Sequence, residues 1–340
     1  MKAAAITAVD YYLPEKTLSN SDLAQEFPDW SVQKIADKTG VEARHVSADD
    51  ECSSDLATAA AERLFLAGVD RTAVDYILFC TQSPDYFLPT SACLLQQRLG
   101  IPTSAGALDF NLGCSGYVYG LGIAKGLIET GQASNVLLLT GETYTKMLAK
   151  EDRSVRTIFG DGGSATLVEA VETDPGAPPL VGPFVYGTDG SGARNLIVEA
   201  GAFRKPLSPA GPRTPGADAP TGPTLFMDGG EIFAFTLSTV PKAVAALLRR
   251  ANLKAEDVDL FVFHQANRHM LDHLRRKSGI PEEKFLVHLS DCGNTVSATI
   301  PITIREAQRA GRLKRGAVLA LVGFGVGYSW SAAICRWSID

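Results

Sequence analysis

Short apolar runs followed by longer segments of mixed polarity recur along the chain and predict alternating strands and helices. The clearest apolar runs read YILFC, NVLLLTGE, DLFVF and AVLALVGFG. The first ten residues predict a further strand, and N-capping residues near 19–22 and 53–55 predict helices over 20–38 and 54–67. Strands and helices in alternation are typical of α/β proteins, whose sheets and helices pack in layers.

The same order of segments occurs twice along the chain. The matching pairs lie 165 to 184 positions apart and are 67–83 with 251–267, 113–131 with 293–311, and 159–170 with 324–335. In each pair the polar loops, glycines and apolar runs follow one another in the same way. Three pairs in one order indicate two homologous α/β halves related by duplication.

Two segments rich in proline and glycine interrupt this order. The first lies near residues 170–182, and we place the boundary between the halves there, dividing the chain into 1–175 and 176–340. The second, residues 201–223, holds six prolines and four glycines, which excludes helix and central strand. A loop of this length is either disordered or part of a binding mouth.

Charge and composition narrow the class of protein. The 340 residues carry a net charge of −6, which does not favour nucleic acid or an anionic membrane as a partner. No apolar run approaches the roughly 18 residues of a membrane span, and the N-terminus lacks a signal-peptide core. The six cysteines show no CxxC spacing, so we expect reduced thiols and a cytoplasmic protein.

The duplication relates the positions of three polar residues to one another. It aligns Cys114 with Asn294, each after a glycine, and Cys80 with His264 at a strand end. If the halves pack about a pseudo-two-fold axis, two helix N-termini meet in the middle with His264 beside them. A cysteine there is expected to favour the nucleophilic thiolate, because the helix dipole is positive at that end.

The other two residues suit the chemistry of a cysteine nucleophile. An imidazole can pair with the thiolate or donate to a substrate carbonyl, and the amide of Asn294 can stabilise an oxygen that gains negative charge. Each residue alone has an ordinary structural explanation, as a core histidine or a turn asparagine. We assign Cys80, Cys93 and Cys335 to the core and leave Cys292 unassigned. Only the combination of the three favours a functional site.

Several motifs together resemble the beta-ketoacyl-acyl-carrier-protein synthase III family of the thiolase superfamily. They read TGVEARHV, DFNLGCSGYVYGL, IFGDGGSA, FHQANRHM, CGNTVSATIP and GFGVGYSW, and they span essentially the whole chain. The type III enzymes use Cys-His-Asn, whereas the elongating enzymes of the superfamily use two histidines with the cysteine. The C-terminal glycine motif, residues 325–327, lacks the second cysteine of thiolases.

The resemblance implies a thiolase-like, five-layered αβαβα fold in a cytoplasmic homodimer that needs no metal or cofactor. It implies that Cys114 takes an acyl group from acyl-CoA. Malonyl-acyl-carrier protein then loses CO₂, and its enolate, held by His264 and Asn294, attacks the acyl-enzyme to give 3-oxoacyl-acyl-carrier protein. The backbone N–H groups of Cys114 and Val326 would form the oxyanion hole.

The resemblance also implies a substrate channel and a docking surface. The channel positions are Trp30, Leu88, Arg153, Met227, Gly229, Phe233 and Asn267. Of these, Trp30 and Arg153 would contact the CoA nucleotide, and Leu88 would reach the acyl pocket of the partner subunit. Carrier proteins are acidic, so the basic residues after the HQAN motif would bind them: Arg268, Arg275, Arg276 and Lys277. A solvated helix face explains those charges equally well, as an ordinary core explains Met227, Gly229 and Phe233.

Three functions remain open at this stage. The first is condensation that initiates fatty-acid synthesis. The second is a related enzyme of specialised metabolism that condenses or transfers acyl groups, and the third is a catalytically silent subunit that binds carrier protein. The sequence leaves primer length and branching undetermined.

Overall fold

The computed structural model describes residues 1–207 and 222–339, which contain two five-stranded sheets. The strands of the first half are β1 (Lys2–Tyr12), β2 (Thr17–Ser19), β3 (Ala43–His45), β4 (Tyr76–Cys80), β5 (Gly106–Phe110), β6 (Asn135–Glu142) and β7 (Gly162–Glu172). Those of the second half are β8 (Val181–Thr188), β9 (Leu196–Val198), β10 (Leu225–Met227), β11 (Leu260–Phe263), β12 (Phe285–Leu286), β13 (Val318–Gly325) and β14 (Ser329–Arg336). The α-helices are α1 (Asn20–Glu26), α2 (Val32–Thr39), α3 (Ser53–Leu66), α4 (Ser91–Arg98), α5 (Gly116–Glu129), α6 (Arg153–Arg156), α7 (Gly229–Ala251), α8 (Arg268–Lys277) and α9 (Thr299–Arg309).

The two large sheets have the same strand order. The first runs β1-β7-β6-β4-β5 and the second β8-β14-β13-β11-β12. In both, the strand at the fourth place is parallel to its two neighbours, and the second strand is antiparallel to its neighbours. The strands that occupy equivalent places are those that the sequence repeat pairs, β4 with β11, β6 with β13 and β7 with β14. The predicted duplicated fold is confirmed.

Five layers result because α5 and α9 lie between the sheets. Helix α5 contacts strands of both sheets, and α9 contacts β1, β7 and β11. Along α9, Ile300 and Ile304 share one face and Ile302 points to the opposite side, yet all three are buried, which is typical of a helix enclosed by protein. Helices α3 and α4 cover the outer face of the first sheet, and α7 and α8 lie on the outer side of the second.

The predicted helix over 20–38 is two helices in the structure. Helix α1 ends at Glu26, and the chain leaves helical geometry at Phe27, the residue before Pro28, because the proline ring disfavours helix there. Helix α2 then starts afresh with the Ser31 side chain accepting from the Lys34 N–H at 3.2 Å. The second predicted helix, 54–67, corresponds to α3.

Helix α7 is, within the described part of the chain, the one helix long and apolar enough to cross a membrane. It contacts β8, β13 and β14, and Phe235, Val240 and Val244 are buried. Its apolar face therefore covers the second sheet, as expected for an outer helix of this fold.

Two sequence predictions concern the segments between elements. The connector near 170–182 corresponds to the chain between the end of β7 at Glu172 and the start of β8 at Val181, while the division at 175/176 stays a prediction. The prediction for 201–223 falls mostly on residues 208–221, which lie outside the described residues.

Candidate active site

Cys114 lies in the turn that joins β5 to α5. Its side chain is buried, with 6% of the residue exposed. Gly325, at the end of β13, lies directly against it, since a Cβ at that glycine would be 3.1 Å from Sγ. Glycine at 325 is therefore needed for the second half to approach the sulfur this closely.

His264 follows the last residue of β11, as the sequence predicted. Its backbone N–H donates to the Val322 carbonyl at 2.8 Å, and its ring meets Phe324 edge-on with centroids 5.5 Å apart. Nδ1 lies 2.8 Å from Thr299 Oγ1. Burial lowers the pKa of His264 from 6.5 to about 3, so the imidazole is neutral at physiological pH.

Asn294 is held by backbone pairing with the first half. Its N–H donates to the Ile158 carbonyl at 2.9 Å, and its carbonyl accepts from the Gly160 N–H at 3.1 Å. Asn294 Oδ1 accepts from the Val296 N–H at 2.9 Å, which leaves the NH₂ end as the donor. The expected helix start is wrong here: a 3₁₀ turn over Val296–Ala298 intervenes, and α9 begins five residues later, at Thr299.

Val296 links the three candidate residues. It belongs to the same buried apolar cluster as Cys114, and its N–H is bound by Asn294. Its carbonyl accepts from the Thr299 hydroxyl at 3.0 Å and interacts with the His264 ring. Val296 has a φ of +55°, a strained conformation for a β-branched residue. The structure thus connects His264 and Asn294 through one strained residue, which belongs to the apolar cluster of Cys114.

The expectation that Cys114 favours the thiolate is wrong for the free protein. Burial raises the pKa of the Cys114 thiol well above its ordinary value, and the nearby Glu142 carboxylate raises it further. The backbone N–H of Cys114 lowers the pKa of its own thiol, but by less than burial raises it. The free-energy cost of removing a thiolate from water exceeds the stabilisation that the first turn of α5 supplies, so Cys114 rests as a thiol.

Glu142 is a buried acidic residue that the sequence analysis missed. It is fully enclosed and accepts hydrogen bonds from the Gln82 N–H at 3.0 Å, Ser83 Oγ at 3.3 Å and Ser297 Oγ at 2.8 Å. Burial raises the pKa of its carboxyl from 4.5 to about 8. Glu142 ends the apolar run NVLLLTGE, and this position could have predicted a buried acid. Acidic residues are rarely fully buried unless they have a partner.

Val326 lies against the turn that carries the nucleophile. A Cβ at Gly113 would be 3.0 Å from its Cγ1, and its carbonyl accepts from Ser329 Oγ at 2.8 Å. Among the hydrogen bonds between described residues, none uses the Val326 N–H. That donor is therefore available to a ligand beside Cys114.

Trp30 and Arg153 come together on the surface, while their contact with the CoA nucleotide stays a prediction. The Arg153 guanidinium is 5.4 Å from the Trp30 ring centroid, and Lys34 and Lys38 lie at 5.3 and 5.0 Å. Three cations around one indole form a site suited to a phosphorylated aromatic group.

The remaining channel positions are dispersed. Met227 packs against the Cys114 cluster, and Gly229 begins α7 with open space beside it. Phe233 packs instead on the rings of His269 and His273, each at 5.6 Å. Leu88 is 80% exposed within this chain.

Asn267 and the basic residues after it belong to α8. Asn267 is the N-cap, with Oδ1 accepting from the Met270 N–H at 2.8 Å. Arg268 pairs with Asp272 at 3.2 Å, and Arg275 is partly buried and 3.5 Å from Glu282. The exposed basic residues of this helix are therefore Arg268, Arg276 and Lys277.

Sequence and structure comparisons agree on one family. Family models for 3-oxoacyl-[acyl-carrier-protein] synthase III match residues 108–190 and, for its C-terminal part, 248–337. Beta-ketoacyl-[acyl-carrier-protein] synthase III of Caldanaerobacter subterraneus subsp. tengcongensis is 36% identical over 337 residues, or 99% of this chain and 98% of the relative. A solved 3-oxoacyl-(acyl-carrier-protein) synthase III superposes with a TM-score of 0.92 at 52% identity, covering 98% of this chain and 100% of that one.

A solved 3-oxoacyl-(acyl-carrier protein) synthase from Burkholderia xenovorans LB400 superposes with a TM-score of 0.90 at 39% identity, covering 99% of this chain and 94% of that one. These similarities extend over nearly the whole chain and confirm the resemblance drawn from the motifs. The chain belongs to the 3-oxoacyl-[acyl-carrier-protein] synthase III family.

Proposed function

We propose that this enzyme condenses an acyl-CoA primer with malonyl-acyl-carrier protein, releasing CoA and CO₂ and forming 3-oxoacyl-acyl-carrier protein. The convergence of Cys114, His264 and Asn294 around Val296 is the observation that carries this proposal. Val296 shares a buried apolar cluster with Cys114, and its N–H donates to Asn294 Oδ1. Its carbonyl accepts from the Thr299 hydroxyl, which contacts His264 Nδ1. These contacts support a nucleophile, a neutral imidazole and an amide donor that act together.

In the first step the Cys114 sulfur attacks the thioester carbonyl, and the thiol proton passes to His264. The developing oxyanion is stabilised by the backbone N–H groups of Cys114 and Val326. CoA leaves with the proton from His264, and the acyl group stays on Cys114. Because the resting thiol is protonated, a base must act in this step, and the unprotonated ring nitrogen of His264 serves.

In the second step malonyl-acyl-carrier protein loses CO₂, and negative charge develops on its thioester oxygen. The Asn294 NH₂ and His264 Nε2–H donate to that oxygen. Both are neutral, so they stabilise the enolate without protonating its carbon. The enolate carbon then attacks the acyl-Cys114 carbonyl, and the Cys114 thiolate leaves. The thiolate takes up one proton from solvent, which restores the resting thiol.

The Thr299 hydroxyl supports both states of His264 that these steps require. Its oxygen is 2.8 Å from Nδ1 and 3.0 Å from the Val296 carbonyl. When the Thr299 hydroxyl donates to the Val296 carbonyl, His264 Nδ1–H can donate to the Thr299 oxygen, and the unprotonated Nε2 is then the base. When the hydroxyl instead donates to Nδ1, the ring proton lies on Nε2, and Nε2–H is the donor.

Partners follow from exposed features. Within the described ranges, the edge strand β5 pairs with β4 alone, and Phe87 and Leu88 are exposed. Both features support a homodimer in which Leu88 reaches the partner's acyl pocket. The exposed cations of α8 support docking of acidic carrier protein, and the Trp30–Arg153 pair supports binding of the CoA nucleotide. The proposed reaction needs no cofactor and takes place in the cytoplasm.

A panel of acyl-CoA primers with malonyl-acyl-carrier protein tests the function. We expect a mass increase on Cys114 for the preferred primers, then CO₂ and a 3-oxoacyl product. His264→Ala should acylate slowly, because the base is gone, and Asn294→Ala should acylate normally. Both should fail to decarboxylate, and normal condensation by both would contradict the assigned roles. Acylation without CO₂ release would favour the first alternative, an enzyme of specialised metabolism. If Cys114 stays unmodified with every primer, the result would favour the second alternative, a catalytically silent subunit that binds carrier protein.

A further inference from the structure

Three side chains with metal-binding atoms lie together in the segment between β12 and α9. They are His288, Asp291 and Cys292, and their ligand atoms all lie within 4.8 Å of one another. His288 Nε2 is 3.6 Å from Asp291 Oδ1. In a tetrahedral zinc site the ligand atoms are about 3.3–3.8 Å apart, as bond lengths of roughly 2.0–2.3 Å require. One pair already has this spacing, and the Cys292 sulfur lies within 4.8 Å of both of its atoms.

We propose that His288, Asp291 and Cys292 bind a divalent transition-metal ion of the Zn²⁺ type. Imidazole nitrogen, carboxylate oxygen and thiolate sulfur are the three ligand types that Zn²⁺ takes in proteins. The Cys292 S–H bond is replaced by a sulfur–metal bond, and the proton passes to solvent. A water molecule completes the four-coordinate site.

The depth of each ligand suits an ion that enters from solvent. Cys292 is 2% exposed and forms the floor, whereas the side chains of His288 and Asp291 are 25% and 72% exposed and form the rim. The sulfur has only weak contacts, with carbonyl oxygens at 3.6 and 4.0 Å, so binding a metal breaks no strong hydrogen bond. The Glu306 carboxylate interacts electrostatically with both Cys292 and His288 and adds negative charge that favours a cation.

The proposed site adjoins two segments of the candidate active site. The His288 N–H donates to Gln265 Oε1 at 2.8 Å, and Gln265 follows His264 in the chain. Cys292 precedes Asn294 by two residues. An ion that joins His288 to Cys292 therefore links these segments and, because it binds only the folded chain, raises the melting temperature.

Zinc and cobalt titrations of the full-length protein test this proposal. Cys114→Ala is the background, since the nucleophile is itself a possible ligand. We expect one Zn²⁺ per chain, a rise in Tm, and a thiolate-to-cobalt charge-transfer band with Co²⁺. His288→Ala and Cys292→Ser should each weaken Zn²⁺ binding at least tenfold and abolish the band or reduce it, because losing even an outer partner of a ligand weakens binding about 10–100-fold.

Two control variants separate this site from other thiols and imidazoles. Cys93→Ser removes an exposed cysteine, and His273→Ala disrupts the exposed pair His269–His273, whose rings are 4.3 Å apart. Both should retain the affinity and the cobalt band. The proposal is overturned if His288→Ala and Cys292→Ser bind as the background does, if either control abolishes binding, or if the background binds no Zn²⁺. His288→Ala alters a partly exposed side chain, so the test stands even if Cys292→Ser does not fold.

Discussion

Replacing Glu142 with glutamine removes a buried titratable carboxyl and keeps its shape. In the native structure one carboxyl oxygen accepts from the Gln82 N–H and Ser83 Oγ, and the other accepts from Ser297 Oγ. Glutamine satisfies the same partners, with its oxygen at the first position and its NH₂ donating to Ser297 Oγ at the second. The substitution therefore changes the charge of the site and leaves its hydrogen bonds paired.

The size of the effect follows from the pKa of Glu142. Burial raises it from 4.5 in the unfolded chain to about 8 in the fold, so the folded state retains a proton that the unfolded chain releases. This contribution to stability is complete below pH 4.5 and is lost as the pH rises to about 8. At about 1.4 kcal/mol per pKa unit, the loss is roughly 5 kcal/mol in all and about 2–3 kcal/mol between pH 6 and pH 9.

Urea unfolding at pH 6 and pH 9, at one fixed protomer concentration, measures this difference. We expect the free energy of unfolding to fall by about 2–3 kcal/mol less in Glu142→Gln than in the unsubstituted chain. Glu151→Gln, which replaces an exposed glutamate, should follow the unsubstituted chain. Parallel pH dependences for Glu142→Gln and the unsubstituted chain would refute a buried carboxyl with a raised pKa. Iodoacetamide should also alkylate Cys114 at lower pH in Glu142→Gln, because a carboxylate that opposes the thiolate is gone.

The remaining predictions concern the proposed reaction. The pH profile of malonyl-thioester decarboxylation by Cys114→Ala should show no ionisation of His264 between about pH 5 and pH 7, because burial holds the pKa of His264 near 3. A step in the rate within that range that vanishes in His264→Gln would contradict this. Thr299→Val should slow decarboxylation about 10–100-fold, because about 1.4–2.8 kcal/mol of hydrogen bonding to His264 is lost. Thr299→Ser keeps the hydroxyl and should retain activity, and equal decarboxylation rates for the two variants would exclude the positioning role of Thr299. Arg153→Ala should raise the KM for acyl-CoA about tenfold with kcat unchanged, and an unchanged KM would remove Arg153 from the nucleotide site.

The duplicated fold was readable from the sequence because its signals are local. Apolar runs, glycine turns and capping residues recur in the same order in both halves, and the two sheets repeat one strand order. Cys114, Asn294 and His264 were identifiable for the same reason, since each directly follows a glycine or a strand end. The break between α1 and α2 was missed although Pro28 marks it, because the capping signal at Ser19 was extended through the proline.

Tertiary structure decided the properties that depend on distant parts of the chain. The ionisation of Cys114 follows from desolvation and from Glu142, which outweigh the local effect of α5. The proximity of Met227 to the nucleophile and of Phe233 to α8 depends on how α7 packs. The chain by itself thus determined the order of the elements and the residues at their ends. Burial, side-chain direction and pKa arose only when the two halves enclosed those residues, because desolvation depends on every neighbour at once.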